Sequence, residues 1–207
     1  MKQLITLITI LFTSLIFSSP SWSETKNDLV KRDGLWYKKF TDVPFSGKLT
    51  GEYNGLTKSG KREGLWIRYH ENGQLMTKGS YKDGKLEGLW EGYYDNGQRS
   101  YRENYKDGVL DGLRVHYYSN GQLRIKQTYK NGKEDGLYED YYENGQLKKK
   151  KSFKDGRTNG PWRDYHKNGQ LKIKANFKDG KEDGVWEHFN EDGSIKKTES
   201  WKNGVKQ

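Results

Sequence analysis

From residue 64 onward, apolar positions recur on a fixed rhythm, with polar turn dipeptides between them. Trp66, Trp90, Arg114, Tyr138, Trp162 and Trp186 share one position of the rhythm. Tyr81, Tyr105, Tyr129, Phe153, Phe177 and Trp201 share another. The units open on Gly64, Gly88, Gly112, Gly136, Gly160 and Gly184, so a 24-residue period is written six times without insertion or deletion. In the first unit, Leu65 to His70 is rich in aromatic and branched residues and predicts a strand. Asn72-Gly73 follows, then a returning strand over Leu75 to Tyr81, then a second turn at Asp83-Gly84. Asn-Gly favours a two-residue type I′ hairpin turn with positive φ at both residues. That turn predicts His70 opposite Leu75, Arg68 opposite Thr77 and Trp66 opposite Gly79.

A fixed period of this length predicts a repeat array in which each unit rests on its neighbours. The expected fold is all-β: an elongated, twisted antiparallel meander of β-hairpin repeats forming an open single-layer sheet. Twelve strands at about 4.8 Å spacing would extend roughly 55–60 Å. One face would gather the two aromatic columns with Leu75, Leu123, Leu147, Leu171 and Ile195. Gly79 would give room to Trp66, and Ala175 to Trp162. Lys149 would face Asp140, and Lys151 would lie over Tyr138. The other face would carry Leu65, Leu89, Leu113, Leu137 and Val185 with a tyrosine column. Residues 24–63 echo the unit at Gly34-Leu35-Trp36-Tyr37 and Lys58-Ser59-Gly60-Lys61, but break it at Val43-Pro44-Phe45. They are expected to form a divergent N-terminal cap on the six units of residues 64–207.

Composition changes this picture in two ways. Only 31% of the 207 residues are hydrophobic and 32% are charged, proportions that normally accompany disorder. The 15 Tyr, 7 Trp and 7 Phe, set between regular turns, point instead to a thin structure with much surface. There is no cysteine, so no disulfide can brace it. At the start, Lys2 precedes an uncharged run from Leu4 to Phe17, and Ser21-Trp22-Ser23 supplies small residues at a cleavage site. That pattern predicts a secretory signal peptide over residues 1–23 and an exported protein, periplasmic or extracellular. The run is shorter than the roughly 18–20 residues a membrane-spanning helix needs. Beyond it, 37 basic residues face 28 acidic ones, a net charge of +9.

The unit Gly-Leu-Trp-x-x-Tyr-Tyr-x-Asn-Gly-Gln-Leu, closing in Tyr-Lys-Asp-Gly-Lys, resembles the bacterial variant of the MORN repeat over about residues 64–207. The lead segment, Asp33-Gly34-Leu35-Trp36-Tyr37 to Pro44-Phe45-Ser46-Gly47-Lys48, resembles the opening module of a family labelled as toxin–antitoxin system antitoxins. The resemblance implies a twisted antiparallel sheet and a non-enzymatic protein-interaction role, including neutralisation of a partner. A leader would place the chain away from any cytoplasmic toxin.

Chemistry is hard to find in the repeats. His70 and His166 occupy the same repeat position four units apart, roughly 40 Å by strand spacing, and cannot share a metal. The aspartates of the Asp-Gly pairs are explained by turn geometry. No nucleophile elbow, phosphate loop or dinucleotide fingerprint occurs. The expectation is therefore no enzyme, no cofactor and no metal. Lysine outnumbers arginine, and export removes most nucleic acid, so nucleic-acid binding is not expected. Binding of an unidentified protein partner is the first reading, immunity- or antitoxin-like in its narrowest form. The alternative is a cell-envelope binder that holds anionic lipid or glycan surfaces through Lys and aromatic residues. The candidate surface comprises Trp66, Arg68, His70, Trp90, Tyr94, His116, Tyr118, Tyr142, Trp162, Asp164 and Trp186.

Overall fold

The computed structural model describes residues 23–207. The expected leader, residues 1–23, lies outside them apart from Ser23. Strands β1 (Ser23–Glu24), β2 (Leu29–Arg32), β3 (Leu35–Lys38), β4 (Gly47–Leu49) and β5 (Tyr53–Lys58) make up the cap. The repeats supply β6 (Lys61–Tyr69), β7 (Leu75–Lys82), β8 (Lys85–Tyr93), β9 (Arg99–Lys106) and β10 (Val109–Tyr117). They continue with β11 (Leu123–Lys130), β12 (Lys133–Tyr141), β13 (Leu147–Lys154), β14 (Arg157–Tyr165) and β15 (Leu171–Lys178). The last are β16 (Lys181–Glu182), β17 (Gly184–Phe189), β18 (Ile195–Lys202) and β19 (Val205–Lys206).

From β4 to β15 each strand pairs antiparallel with its successor, β16 and β17 both pair with β15, and β17, β18 and β19 pair in turn, so a single open meander forms as expected, and β1 joins β4 in parallel. β2 and β3 make a separate hairpin. It is stitched to the rest of the fold through Trp36, whose N–H donates to Gly60 O and whose carbonyl accepts from Phe45 N–H, both at 2.8 Å. Leu29, Phe45 and Leu49 of this cap are buried in one cluster with Trp66 and Trp90.

The two turns of a unit differ in type, and the sequence assigned the type I′ form to the wrong one. At Asp83-Gly84 both residues have positive φ, 51° and 79°, and Lys82 pairs directly with Lys85. This is the two-residue type I′ turn. At Asn72-Gly73 only the glycine does, at 82°. Gly73 N–H donates to His70 O (2.9 Å) and His70 N–H to Gln74 O (2.8 Å). That closes a three-residue type I loop ending in a glycine bulge. Arg68 still pairs with Thr77 and Trp66 with Gly79, as expected, but the bulge sets Tyr69, not His70, opposite Leu75. Leu75, Leu123, Leu147, Leu171 and Ile195 therefore leave the aromatic face and join Tyr69, Tyr117, Tyr141, Tyr165 and Phe189 on the other.

The glycine that opens each unit has its own cause. Lys78 pairs with Glu91 but Ser80 with Glu87, so the opening strand carries two more residues than its partner at this point. Gly88 takes up that excess at φ 71°, a conformation open to glycine. The bulge carries the next indole back over the preceding strand. Trp90 rests on Gly79, where a Cβ would stand 2.2 Å from the ring, and Trp66 rests likewise on Gly55, 2.4 Å away. Gly79 thus faces Trp66 in register but makes room for Trp90.

The second face is a ladder of ion pairs. Lys78, Arg99 and Arg102 surround Glu91 at 3.0, 3.1 and 3.5 Å, Lys150 meets Glu139 at 3.1 Å, and Lys174 meets Glu187 at 2.7 Å. Beside this ladder Leu65, Leu89, Leu113, Leu137 and Val185, placed on this face by the sequence, stand exposed.

Candidate binding face

The aromatic face is assembled from two kinds of contact between successive units. Along the loop edge, the residue before each Asn-Gly loop bonds a backbone carbonyl of the next unit. His70 Nε2 lies 2.9 Å from Tyr93 O, and the hydroxyls of Tyr94, Tyr118 and Tyr142 donate to the carbonyls of Tyr117, Tyr141 and Tyr165 at 2.7, 2.8 and 2.9 Å. His166 repeats the contact on Phe189 O at 3.1 Å. Outside them runs an asparagine ladder. Asn72, Asn96, Asn120 and Asn168 donate from Nδ2 to the carbonyls of Asp95, Ser119, Glu143 and Glu191 at 3.0, 2.9, 3.2 and 2.8 Å. Asn144 turns instead to its own Gln146 at 3.3 Å.

Across the middle of the face, residue 79 and its equivalents meet the indole position of the following unit. Gly79 carries Trp90, Glu103 pairs with Arg114, Gln127 with Tyr138 and Lys151 with Trp162. The two columns change together. Where the upper residue is an indole, the lower one is glycine or an alkyl chain; where it is Arg114, the lower one is a carboxylate.

Glu103 is the centre of the polar break. Its carboxylate accepts from His116 Nε2 (2.8 Å), Tyr105 Oη (2.7 Å) and Arg114 Nε (3.0 Å), and its side chain is 13% exposed. Burial alone would raise its pKa, but the bonds from His116 and Tyr105 and the Arg114 guanidinium outweigh it and hold it at about 2. Burial and the Glu103 bond push the Tyr105 phenol well above its usual range. Next to this cluster, Gln127 is 2% exposed and donates to Glu134 Oε1 at 2.5 Å. The cluster is closed on itself: its donors and acceptors are matched within the chain.

Further along, Lys151 Nζ lies 4.8, 4.5 and 4.9 Å from the ring centres of Tyr138, Phe153 and Trp162, and Lys149 Nζ lies 4.7 Å from Trp162. Trp162 Nε1 donates to Asp164 Oδ1 at 2.8 Å. Burial raises the Asp164 pKa, against the pull of Lys149 and this bond. The expected Lys151–Tyr138 contact is present. Lys149 pairs in register with Asp140, but the ammonium closest to Asp140 is that of Lys148, at 3.1 Å, and Lys149 leans to Asp164 at 3.8 Å. At the far end Trp186 packs between Phe177 and Trp201, at 5.3 and 5.9 Å.

The candidate residues fall into three groups. Trp66 and Trp90 are 4% and 9% exposed and hold the cap to the array, so they cannot meet a partner; here the expectation is corrected. His70, Tyr94, Tyr118 and Tyr142 keep one face accessible but spend their polar atoms on the neighbouring unit. Arg68, His116, Trp162, Asp164 and Trp186 lie half-buried on the aromatic face, with Arg68 tied to Glu52 at 2.7 Å. Glu103, Arg114, Lys149 and Lys151 were missed as site residues. Comparing residue 79 and its equivalents with the third position of the following unit, rather than of the same unit, would have found all but Lys149. Among the described residues no group of His, Cys, Asp or Glu is arranged to hold a metal ion.

In comparisons with known proteins, no curated sequence matches the chain. The family profile described as "MORN repeat variant" matches at residues 62–83, 86–107, 110–131, 134–155, 158–179 and 182–203. It does not reach the lead segment and carries no antitoxin assignment. Those six matches cover more than half of the sequence, and the chain belongs to the MORN repeat variant family.

Proposed function

We propose that the chain is a non-enzymatic interaction module that holds a protein partner against its aromatic face, outside the cytoplasm. One observation carries the reading. Turn and ladder positions recur with little change from unit to unit, whereas residues 68, 92, 116, 140, 164 and 188 on the aromatic face read Arg, Gly, His, Asp, Asp and His. A constant frame that displays changing side chains on one face suits recognition of an extended surface. Among the described residues the open sheet offers no enclosed cleft in which reacting groups would be gathered, and its most buried carboxylate, Glu91, is ion-paired on the opposite face. The leader-like start supports export. An immunity- or antitoxin-like role is the narrower form of the same reading.

Net positive charge favours the second reading, an anionic envelope surface. The two separate by experiment. Crosslinking in envelope extracts of the native cell is compared with sedimentation on anionic vesicles at low and high salt. A protein complex that survives salt and is lost on combining Arg68→Glu with Asp164→Lys, but not with Lys126→Glu on the opposite face, supports the first. Vesicle binding that falls steeply with salt, with no protein crosslinked, replaces it with the second.

A further inference from the structure

Lysines 148 to 151 run consecutively through β13, and their counter-ions differ. Lys148 is 3.1 Å from Asp140, Lys150 is 3.1 Å from Glu139, and Lys149 is 3.8 Å from Asp164. Lys151 alone has no carboxylate within ion-pair distance among the described residues, although it is the one enclosed by rings. Tyr138, Phe153 and Trp162 surround its ammonium at 4.5–4.9 Å. No other unit places a cation at this position, although Arg62, at a different position on β6, lies against the rings of Trp36, Trp66 and Tyr81 and bonds the Tyr81 hydroxyl. The equivalents of Lys151 are Gly79, Glu103, Gln127, Ala175 and Glu199, none of them basic.

Packing alone does not call for a cation here. Ala175 fills the equivalent position one unit on, and a thioether would lie over three rings without the cost of removing a charge from water. Burial first, and the adjacent Lys149 second, push the Lys151 pKa down, so the chain retains a charge its surroundings disfavour. Ring faces attract the ammonium but leave its N–H donors unused, and those donors seek an oxygen anion.

We propose that Lys151, with Lys149 beside it, is a receptor for a carboxylate of an acidic segment on the protein partner, with Trp162, Tyr138 and Phe153 as its apolar walls. The proposal rests on the interaction reading above and names the chemistry of that partner. The overall charge of +10 points the same way. Asp164 and Asp140 border the site, but each already faces a lysine, so Lys151 keeps its charge for the ligand.

The test uses the full chain and a capped, fluorescently labelled oligoglutamate peptide, read by anisotropy. Lys151→Met removes the charge while keeping a long apolar side chain. Lys202→Met removes the same charge from an exposed position. Lys151→Met should weaken peptide binding about tenfold, the scale of one charge-assisted hydrogen bond, and Lys202→Met less than about twofold. Equal losses, or none for Lys151→Met, overturn the proposal. So does binding to phosphatidylglycerol vesicles, but not to the peptide, that depends on Lys151. Should Lys151→Met fail to fold, Lys149→Met carries the same expectation. Partner crosslinking that survives Lys151→Met removes the carboxylate site and leaves the interaction reading intact, whereas absence of any protein partner removes that reading itself.

Discussion

At the scale of single residues, the chain alternates between two ways of filling one space. An indole lies over Gly79, and a guanidinium lies beside Glu103. The second is pH-dependent. The Glu103 pKa falls from 4.5 to about 2 on folding, so its contribution is complete above pH 4.5, declines as pH drops, and is gone near pH 2. Glu103→Gln should cost about 2 kcal/mol at neutral pH and flatten the fall in stability between those limits, as measured by urea unfolding across a pH series. A variant that loses stability in acid as steeply as the wild type would show that another carboxylate controls that limb. The aromatic columns, the Trp66–Gly79 register and the Lys151–Tyr138 contact were all legible in the sequence, because period-two alternation fixes which residues share a face. The Glu103 cluster was not. It arises between units, across a bulge that shifts the register by two residues, and counting within one unit cannot reach it.

At the scale of the element, the hairpin was legible but its loop was not. Asn-Gly suits both the type I′ turn and the type I loop with a glycine bulge, since each needs left-handed glycine. What separates them is the conformation of the asparagine, which here is used as a tie rather than as a left-handed residue. Its Oδ1 accepts from the residue two ahead, as in Asn96 to Gln98 N–H at 3.0 Å, and its amide reaches the neighbouring loop. Asn144 makes only the local contacts. Asn96→Ala should therefore destabilise the protein by about 0.5–1 kcal/mol more than Asn144→Ala, the worth of one partly solvated hydrogen bond. Chemical denaturation of the two variants checks this, and equal effects would mean that the loop ladder adds nothing beyond turn formation.

At the scale of the whole molecule, the period invites removal of a unit, but the junctions decide which. Deleting residues 160–183 brings Lys151 beneath Trp186, a pairing close to the one it makes with Trp162. Deleting residues 112–135 brings Glu103 against Tyr138 and Asp140, removes Arg114 and His116, and leaves a carboxylate beside another carboxylate. The first variant should unfold cooperatively with an m-value lower by about one eighth, and the second should be the less stable by about 2–3 kcal/mol. Similar stabilities would show that the units are interchangeable and that the matched columns are incidental. The array was foreseeable from the glycine spacing alone. The grammar of its junctions was not, because it is written in residues 24 places out of phase with the unit that displays them.

The loop ladder also gives the sheet a direction. Each tie runs from the side chain of one unit to the main chain of the next, so neighbouring hairpins are fastened along one rim in addition to their strands. Under tension applied along the strand order, the protein would yield like a zip, hairpin by hairpin, each releasing roughly 80 Å of chain. The tooth missing at Asn144 marks where the fastening between successive hairpins is weakest along that rim.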